Sequence, residues 1–216
     1  MKNSTNVVVI GGGITGCAIL YHLAKMGWTD STLIERQELT SGSSWHAAGG
    51  VFTFLGPNPV AQIHKYSYQM YSELESAGYN CGLHVTGGLN LCRSLEELES
   101  YKIVQSAVRR LNIDSEFISL EDAVTHAPIL DTSNLIGAVW TPEGGHVDPA
   151  SATQAFAKAA RDLGATIHRH CPVIETNQLP NGNWQVVTNE GTIETEIIVN
   201  AAGLWGREVG TLAGIK

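Results

Sequence analysis

The chain has no apolar run that approaches the roughly 18–20 residues needed to cross a bilayer as a helix, so no membrane span is expected. It has no basic cluster either. No Lys/Arg run is longer than Arg109-Arg110, and 13 Lys and Arg against 21 Asp and Glu leave a formal charge of −8, which argues against a nucleic-acid partner. Charged residues are scarce at 16% while 43% are hydrophobic, a balance that excludes a disordered chain and gives 216 residues material for a sizeable core. The four cysteines, Cys17, Cys81, Cys92 and Cys171, lack metal-ligand spacing, and His22, His126, His168 and His170 form no ligand pattern; no metal site is expected. The cysteines read as reduced thiols. No secretory leader precedes the first apolar strand, so the expected location is the cytoplasm, and the Asn3-Ser4-Thr5 glycosylation triplet is set aside.

Glycine is abundant, with 23 residues, and its placement is informative. Val7-Val8-Val9-Ile10 is a short, wholly apolar run rich in β-branched residues, the pattern of a strand buried on both faces of a parallel sheet. It runs into Gly11-Gly12-Gly13-Ile14-Thr15-Gly16, which matches G-x-G-x-x-G at positions 11, 13 and 16. The first glycine permits a tight turn, the second lets backbone approach a pyrophosphate, and the third lets helix and strand pack closely. From Cys17 to Met26, Ala18, Leu20, Leu23 and Ala24 recur at helical spacing, and Gly27 ends the segment. Such a helix offers unpaired N–H groups and a positive dipole end to a phosphate. Cys17 would face either the core or the ligand. A second strand, Ser31–Ile34, ends in Glu35, 19 residues after Gly16, the separation at which a carboxylate meets the ribose hydroxyls of an adenine dinucleotide. Glu35 disfavours a 2′-phosphate by charge, an effect weakened by Arg36 beside it.

The middle departs from βα alternation. A Gly/Pro/Phe-rich connection over residues 51–60 leads to a predicted helix from Pro59 to Ser76, with Ile63, Tyr66, Met70, Tyr71 and Leu74 as its apolar face. His84 to Leu91 suggests strand and turn. Ser94 with Glu97, and Ser119 with Asp122, are capping boxes. The first opens a helix towards Arg110 with Leu95, Leu98, Tyr101, Ile103, Val104 and Val108 as apolar positions. Asp148 is a predicted N-cap and Pro149 a first-turn residue of an alanine-rich helix to Leu163. Turns at Pro180–Asn183 and Asn189–Gly191 separate short strands into a β-meander, and Ile197–Asn200 forms another buried strand followed by Ala201-Ala202-Gly203.

These elements predict an α/β, Rossmann-like dinucleotide-binding fold with an inserted β-meander and the beginning of a substrate-domain segment; the loop Thr40–Gly49, with one histidine among small residues, makes it an FAD-binding fold. Residues 1–50 and 145–216 are expected to form the FAD-binding portions, and 51–144 an intervening helical and strand segment. With no second large sheet domain before Lys216, the chain is expected to be the N-terminal part of a larger enzyme.

Between these portions lies Thr40-Ser41-Gly42-Ser43-Ser44-Trp45-His46-Ala47-Ala48-Gly49, one histidine among small residues. Together with Val7–Gly16, Glu35-Arg36, Gly145–Pro149 and Asn200–Gly203, it makes the chain resemble FAD-dependent amine dehydrogenases related to dimethylglycine and sarcosine dehydrogenases, within the D-amino-acid-oxidase-like group. The likeness extends over nearly the whole chain, with one departure: Gly50 stands where a larger apolar residue is expected.

The resemblance implies an FAD held by Gly11, Gly13, Ile14, Thr15, Gly16, Glu35, Arg36, Thr40, Ser41, Gly42, Ser43, His46, Ala47, Ala48, Gly49, Val173, Ala202 and Gly203. It places His46 where the family's histidine bonds the 8α-methyl of the flavin. His46 is open to three roles: covalent attachment, noncovalent contact, or a structural one. The implied activity is oxidation of a secondary or tertiary N-methyl amine such as dimethylglycine or sarcosine, by hydride transfer to flavin N5 with iminium formation. An electron-transfer flavoprotein as acceptor and a folate site in a missing C-terminal region come with the same resemblance. The alternatives are a related FAD-dependent amine, amino-acid or hydroxy-acid oxidoreductase, or a non-catalytic flavoprotein-like regulatory subunit. No catalytic acid or base is identified; Glu35 is assigned to ribose.

Overall fold

The apolar run from Val7 is the core of β1 (Ser4–Ile10). In the computed structural model, which describes residues 2–56 and 58–215, this strand starts earlier than hydrophobicity alone suggests. Thr5 extends it because its hydroxyl donates to the Asp30 carbonyl oxygen at 2.8 Å, which lets a polar side chain be buried. Helix α1 (Ile14–Lys25) opens inside the glycine motif rather than after it, with Gly13 as N-cap. The second strand, β2 (Ser31–Ile34), is buried along its whole length.

The remaining elements are β3 (Gly50–Phe52), α2 (Asn58–Ser76), β4 (Gly88–Cys92), α3 (Leu95–Arg109), β5 (Glu116–Ile118), α4 (Leu120–His126), β6 (Gly137–Thr141) and β7 (Gly144–His146). They are followed by α5 (Pro149–Asp162), β8 (Thr166–His168), β9 (Val173–Gln178), β10 (Trp184–Thr188), β11 (Gly191–Asn200) and α6 (Gly206–Leu212). The chain divides into two compact units. One comprises the residues up to Ala48, Leu74–Cys81 and those from Asp148 onward; the other comprises Gly49–Glu73 and Gly82–Val147.

The first unit is built on a six-stranded sheet in the order β8-β2-β1-β11-β10-β9. Its first four strands are parallel, and β10 and β9 continue it antiparallel. This is the α/β, Rossmann-like class expected from the sequence, meander included. The meander is joined more closely than its turns suggested: Gly191–Asn200 is one ten-residue strand rather than two. Its first half pairs with β10, while its length from Glu194 onward pairs with β1.

Val8, Ile10, Ile34, Cys171, Val186 and Ile193 form the core on one side of the sheet. By strand alternation, Val7, Val9 and Leu33 face the other side. There α1 packs against α5, whose Ala152, Ala155, Ala157, Ala159 and Ala160 are buried small residues that permit close helix approach. Asp148 caps α5 as expected, accepting the Ser151 N–H at 2.6 Å, and Pro149 occupies its first turn.

The second unit carries the sheet β4-β6-β5 and the pair β3-β7. Phe54, Ala61, Val108, Ile113 and Val139 form its core. Both serine caps are present: Ser94 accepts the Glu97 N–H at 3.2 Å and Ser119 the Asp122 N–H at 3.0 Å. The apolar faces are narrower than predicted. Leu95 and Ile103 on α3 are each 73% exposed, and Ile63 and Tyr66 on α2 are also exposed, because none of them lies on the stripe that meets the core.

Leu33 is fully buried in the middle of the sheet. Leu33→Ala should lower the unfolding free energy by about 2–5 kcal/mol, whereas Ile103→Ala should change it by less than about 0.5 kcal/mol; urea denaturation followed by circular dichroism measures both.

Candidate dinucleotide site

Chain leaving β1 turns at Gly11 with φ +116°, a conformation that favours glycine. A Cβ there would collide with the Ala201 carbonyl oxygen just past β11, and a Cβ at Gly16 would collide with the Gly11 carbonyl oxygen. These two glycines are therefore required by backbone packed on backbone. Gly13 is different: a Cβ there meets only the Ser44 Oγ, at 3.1 Å. Among the described residues no protein acceptor bonds the backbone N–H of Gly13 or Thr15, at the opening of α1. A bare turn with unpaired N–H groups at a helix start has the donor chemistry a pyrophosphate requires.

The carboxylate of Glu35 folds back onto this turn. Its Oε2 accepts the Gly12 N–H at 2.6 Å and its Oε1 the Gln37 N–H at 2.8 Å. Gly12 lies outside the three motif positions, yet a Cβ there would stand 2.6 Å from Leu39 and 2.9 Å from Glu35. The following loop is tied to the same turn. Thr40, at φ +74°, donates its N–H to the Gly12 carbonyl at 3.0 Å, and Ser44 Oγ accepts the Ile14 N–H at 2.9 Å. Leu39 is buried beneath it.

Together these segments enclose a cavity of about 510 Å³. Of the residues assigned to FAD, the structure brings Gly11, Gly13, Ile14, Thr15, Glu35, Arg36, Ser41, Gly42, Ser43, Ala47, Val173, Ala202 and Gly203 to its wall. The wall does not include Gly16, Thr40, His46, Ala48 or Gly49. Gly16 is packed under the turn and Thr40 braces the loop from outside the wall. His46 ends a 3-10 turn, Ser44–His46, with its exposed ring 3.8 Å from that of Trp45. Gly49 belongs to the second unit, where its carbonyl accepts the Val147 N–H at 2.9 Å.

Cys17 faces the core: it is fully buried, its thiol is pushed up to about 12 by burial with the Glu35 charge adding to it, and its Sγ contacts the Gly12 carbonyl at 3.7 Å. The sequence reading missed Ser44, Cys171, Pro172, Ala201 and Trp205, all on the wall. Ser44 carried no separable signal, because its partner lies 30 residues away. Trp205 had one: an indole directly after a strand and a run of small residues.

The β8–β9 connection supplies Cys171 and Pro172 to the wall, followed by Val173 at the start of β9, and is pinned to the Glu35–Thr40 segment. Glu35 accepts the Cys171 N–H at 2.9 Å through its carbonyl, and Glu38 takes Arg169 at 2.6 Å and His170 at 2.8 Å on its two oxygens. Hydrogen bonds from His170 and then Arg169 hold the Glu38 carboxyl below its ordinary value.

In the second unit, His146 pairs with His84 through backbone hydrogen bonds of 2.8 and 3.1 Å, and their rings stack at 4.9 Å. At Gly50 a Cβ would stand 2.6 Å from the Phe52 ring, so that ring occupies the space of the side chain the resemblance leads one to expect. Among the described residues no group of three or more His, Cys, Asp and Glu is placed to hold a metal, and no helix is long and apolar enough to cross a membrane.

Residues 6–216 match the family model for FAD dependent oxidoreductases (DAO). Rat mitochondrial dimethylglycine dehydrogenase is 36% identical over 216 residues, covering 99% of this chain and 25% of the rat protein. Human mitochondrial sarcosine dehydrogenase is 34% identical over 223 residues, covering 100% and 24%. The mitochondrial regulatory subunit of mouse pyruvate dehydrogenase phosphatase is 34% identical over 205 residues, covering 94% and 23%. The chain thus spans about a quarter of the length of these relatives.

Among solved structures, L-proline dehydrogenase from P. horikoshii superposes with a TM-score of 0.91 at 32% identity, over 100% of this chain and 57% of that one. Glycine oxidase from Bacillus cereus gives 0.78 at 28%, over 96% and 58%. The cytoplasmic expectation is overturned by these relatives, since the dimethylglycine and sarcosine dehydrogenases are mitochondrial. Four buried, unpaired cysteines do not identify a compartment.

Gly16→Ala has no space for its methyl and should abolish dinucleotide binding or lower it at least about tenfold, a loss of about 1.4 kcal/mol or more, in a flavin-loading titration. Glu38 provides a pH test. Its folded value lies below its unfolded one, so its stabilising effect is present above about pH 4.3 and is lost as pH falls through the folded value. Glu38→Gln should therefore lower the melting temperature at pH 7, and the gap should close as pH falls through the lowered folded value, which melting curves recorded over a series of acidic pH values measure.

Proposed function

The chain belongs to the FAD-dependent oxidoreductase family, and on that premise we propose that the protein containing it catalyses the FAD-dependent oxidation of an amine or amino acid. The observation that carries this is the cavity around the glycine turn, with bare backbone, unpaired N–H groups and the β2-end carboxylate brought together at the start of α1. In this reading the first unit is the FAD-binding portion. Gly13 and Thr15 hold the pyrophosphate through their unpaired N–H groups, Gly11 and Ile14 line the turn that presents them, Glu35 serves the ribose side, and Ala202 and Gly203 let the cofactor lie close to backbone past β11. When bound, the flavin supplies the two-electron acceptor for the hydrogen lost from carbon beside the amine nitrogen. The protein's share is to fix the cofactor's position and keep its phosphates paired with backbone donors.

The breadth of the substrate class follows from the neighbours. Dimethylglycine, sarcosine, L-proline and glycine, in the names of these relatives and solved structures, are amino acids or their N-methyl derivatives. The narrower reading is an N-methyl amine such as dimethylglycine or sarcosine, supported by the Thr40–Gly49 loop and the identity to those two dehydrogenases. Covalent attachment through His46, transfer to an electron-transfer flavoprotein, and capture of the released one-carbon unit by folate elsewhere in the protein belong to that narrower reading. The His46 ring is exposed and stands directly before wall residue Ala47. A second reading, a non-catalytic regulatory subunit, is favoured by the identity to the mouse phosphatase subunit.

The full-length protein separates these readings. Acid denaturation should leave flavin absorbance on the polypeptide and release it from His46→Ala. Anaerobic addition of dimethylglycine, sarcosine, glycine or L-proline should bleach the flavin. Bleaching by an N-methyl amine at least about tenfold faster, a barrier difference of about 1.4 kcal/mol, supports the narrower class. Equal or faster bleaching by glycine or L-proline discards it. Flavin that none of them bleaches favours the regulatory reading.

A further inference from the structure

Strands β2 and β11 are not neighbours, because β1 runs between them. Each ends at the cavity: β2 in Glu35-Arg36, β1 in the glycine turn, and β11 in Ala201–Trp205. The Arg36 guanidinium carbon lies 3.8 Å from the centroid of the Trp205 ring, so the two outer turns are joined across the one between them. A Cβ on Gly42 would stand 3.5 Å from the same ring, which places the loop after β2 against it as well.

Core packing does not account for this contact. Arg36 is exposed, Trp205 is half-buried, and both belong to the cavity wall. The neighbouring carboxylate of Glu35 is taken up by the N–H groups of Gly12 and Gln37, which leaves the indole face as the surface that orients the cation.

We propose that Arg36 and Trp205 form a strap on the wall of the dinucleotide cavity, which opens for the cofactor to enter or leave and otherwise holds the Arg36 cation in place. Trp205 is then a positioning residue that acts through Arg36. The inference rests on the FAD reading above. Arg36 has a flexible side chain and Trp205 lies on a short turn, so opening requires rotation of side chains rather than rearrangement of the sheet. A cation–π contact at an exposed position limits exchange only modestly, by about two- to fivefold.

The test uses the full-length protein carrying His46→Ala, so that exchange is not blocked by a covalent bond, stripped of flavin and mixed with FAD in a stopped-flow instrument. Quenching of flavin fluorescence reports binding, and displacement reports release. Arg36→Met and Trp205→Leu should each accelerate both rates by about two- to fivefold. The double variant should be no faster than either single one, because one contact is lost in all three. Trp205→Phe, which keeps an aromatic face, should lie between parent and Trp205→Leu.

A Trp205 that served only packing would lower the melting temperature while Arg36→Met, an exposed change, left the rates alone; that result overturns the strap. Independent, multiplying effects in the double variant overturn it too. If the parent binds FAD and all variants exchange at its rate, the strap fails while the cofactor reading stands. If the properly folded parent binds no FAD, both fail.

Discussion

The close approach of Gly16 to the Gly11 carbonyl is the constraint on which the rest of the first unit depends. It brings the start of α1 directly onto the end of β1, a distance that any side chain would increase. Because β1 sits between β2 and β11, this junction also sets where the ends of both neighbours fall. The parallel sheet changes direction of winding around β1, and in such sheets a crevice opens beyond the carboxyl ends of the strands at that point. Gly11 adds a second close approach, to Ala201, so the exit from β11 is held against the same turn. Three strand ends and one helix start thus converge through contacts between backbones, and the cavity is their shared outer surface.

Polar side chains then decide how open that surface is. Glu35 closes the floor by accepting Gly12 and Gln37 N–H groups, and Ser44 takes the Ile14 N–H. A dinucleotide occupying this place meets a turn whose donors are divided: some already satisfied by the protein, some left to the phosphates. That division has a physical rationale. Paired donors hold the turn in shape before binding, which reduces the ordering that binding must impose, while unpaired ones supply the attraction. The loop from Glu35 to Ala47 is therefore scaffold and ligand surface at once, and Leu39 buried beneath it keeps it from lifting as a free flap.

Much of this was legible in the sequence because it is written locally. The strand, glycines, helix and second strand follow one another in order, the caps at Ser94 and Ser119 are read from residues three apart, and the cap at Asp148 from the proline after it. What escaped was either long-range or dependent on satisfied polarity. Thr5 extends β1 through a carbonyl 25 residues away, and Ser44 reaches Ile14 across 30. The unbroken β11 was divided, with Ile197–Asn200 read as a strand of its own. In the sheet Thr195 is buried with its hydroxyl donating to the Asn6 carbonyl at 3.0 Å, so the strand passes through. Arg36 and Trp205, 169 positions apart in the chain, meet only because β1 and β11 are paired.

The same division explains why the cofactor class is clearer than the substrate. The cavity wall at the glycine turn is made of backbone groups and small residues, and chemistry built from backbone tolerates few alternatives. Replacing Gly16 or Gly11 removes the geometry itself. A substrate pocket is built from side chains, which can be exchanged singly while the fold is kept, so a shared fold leaves its specificity open. Dimethylglycine dehydrogenase, L-proline dehydrogenase and glycine oxidase all resemble this chain while their names differ in what is oxidised. The features they hold in common with it are therefore the wrong place to seek the substrate. Exposed His46 is more informative: the turn does not need its imidazole to fold, since the Ser44–His46 turn is held by backbone bonds from His46 to Ser43 and from Ala47 to Ser44. A side chain that the fold does not require is one whose identity chemistry is free to set.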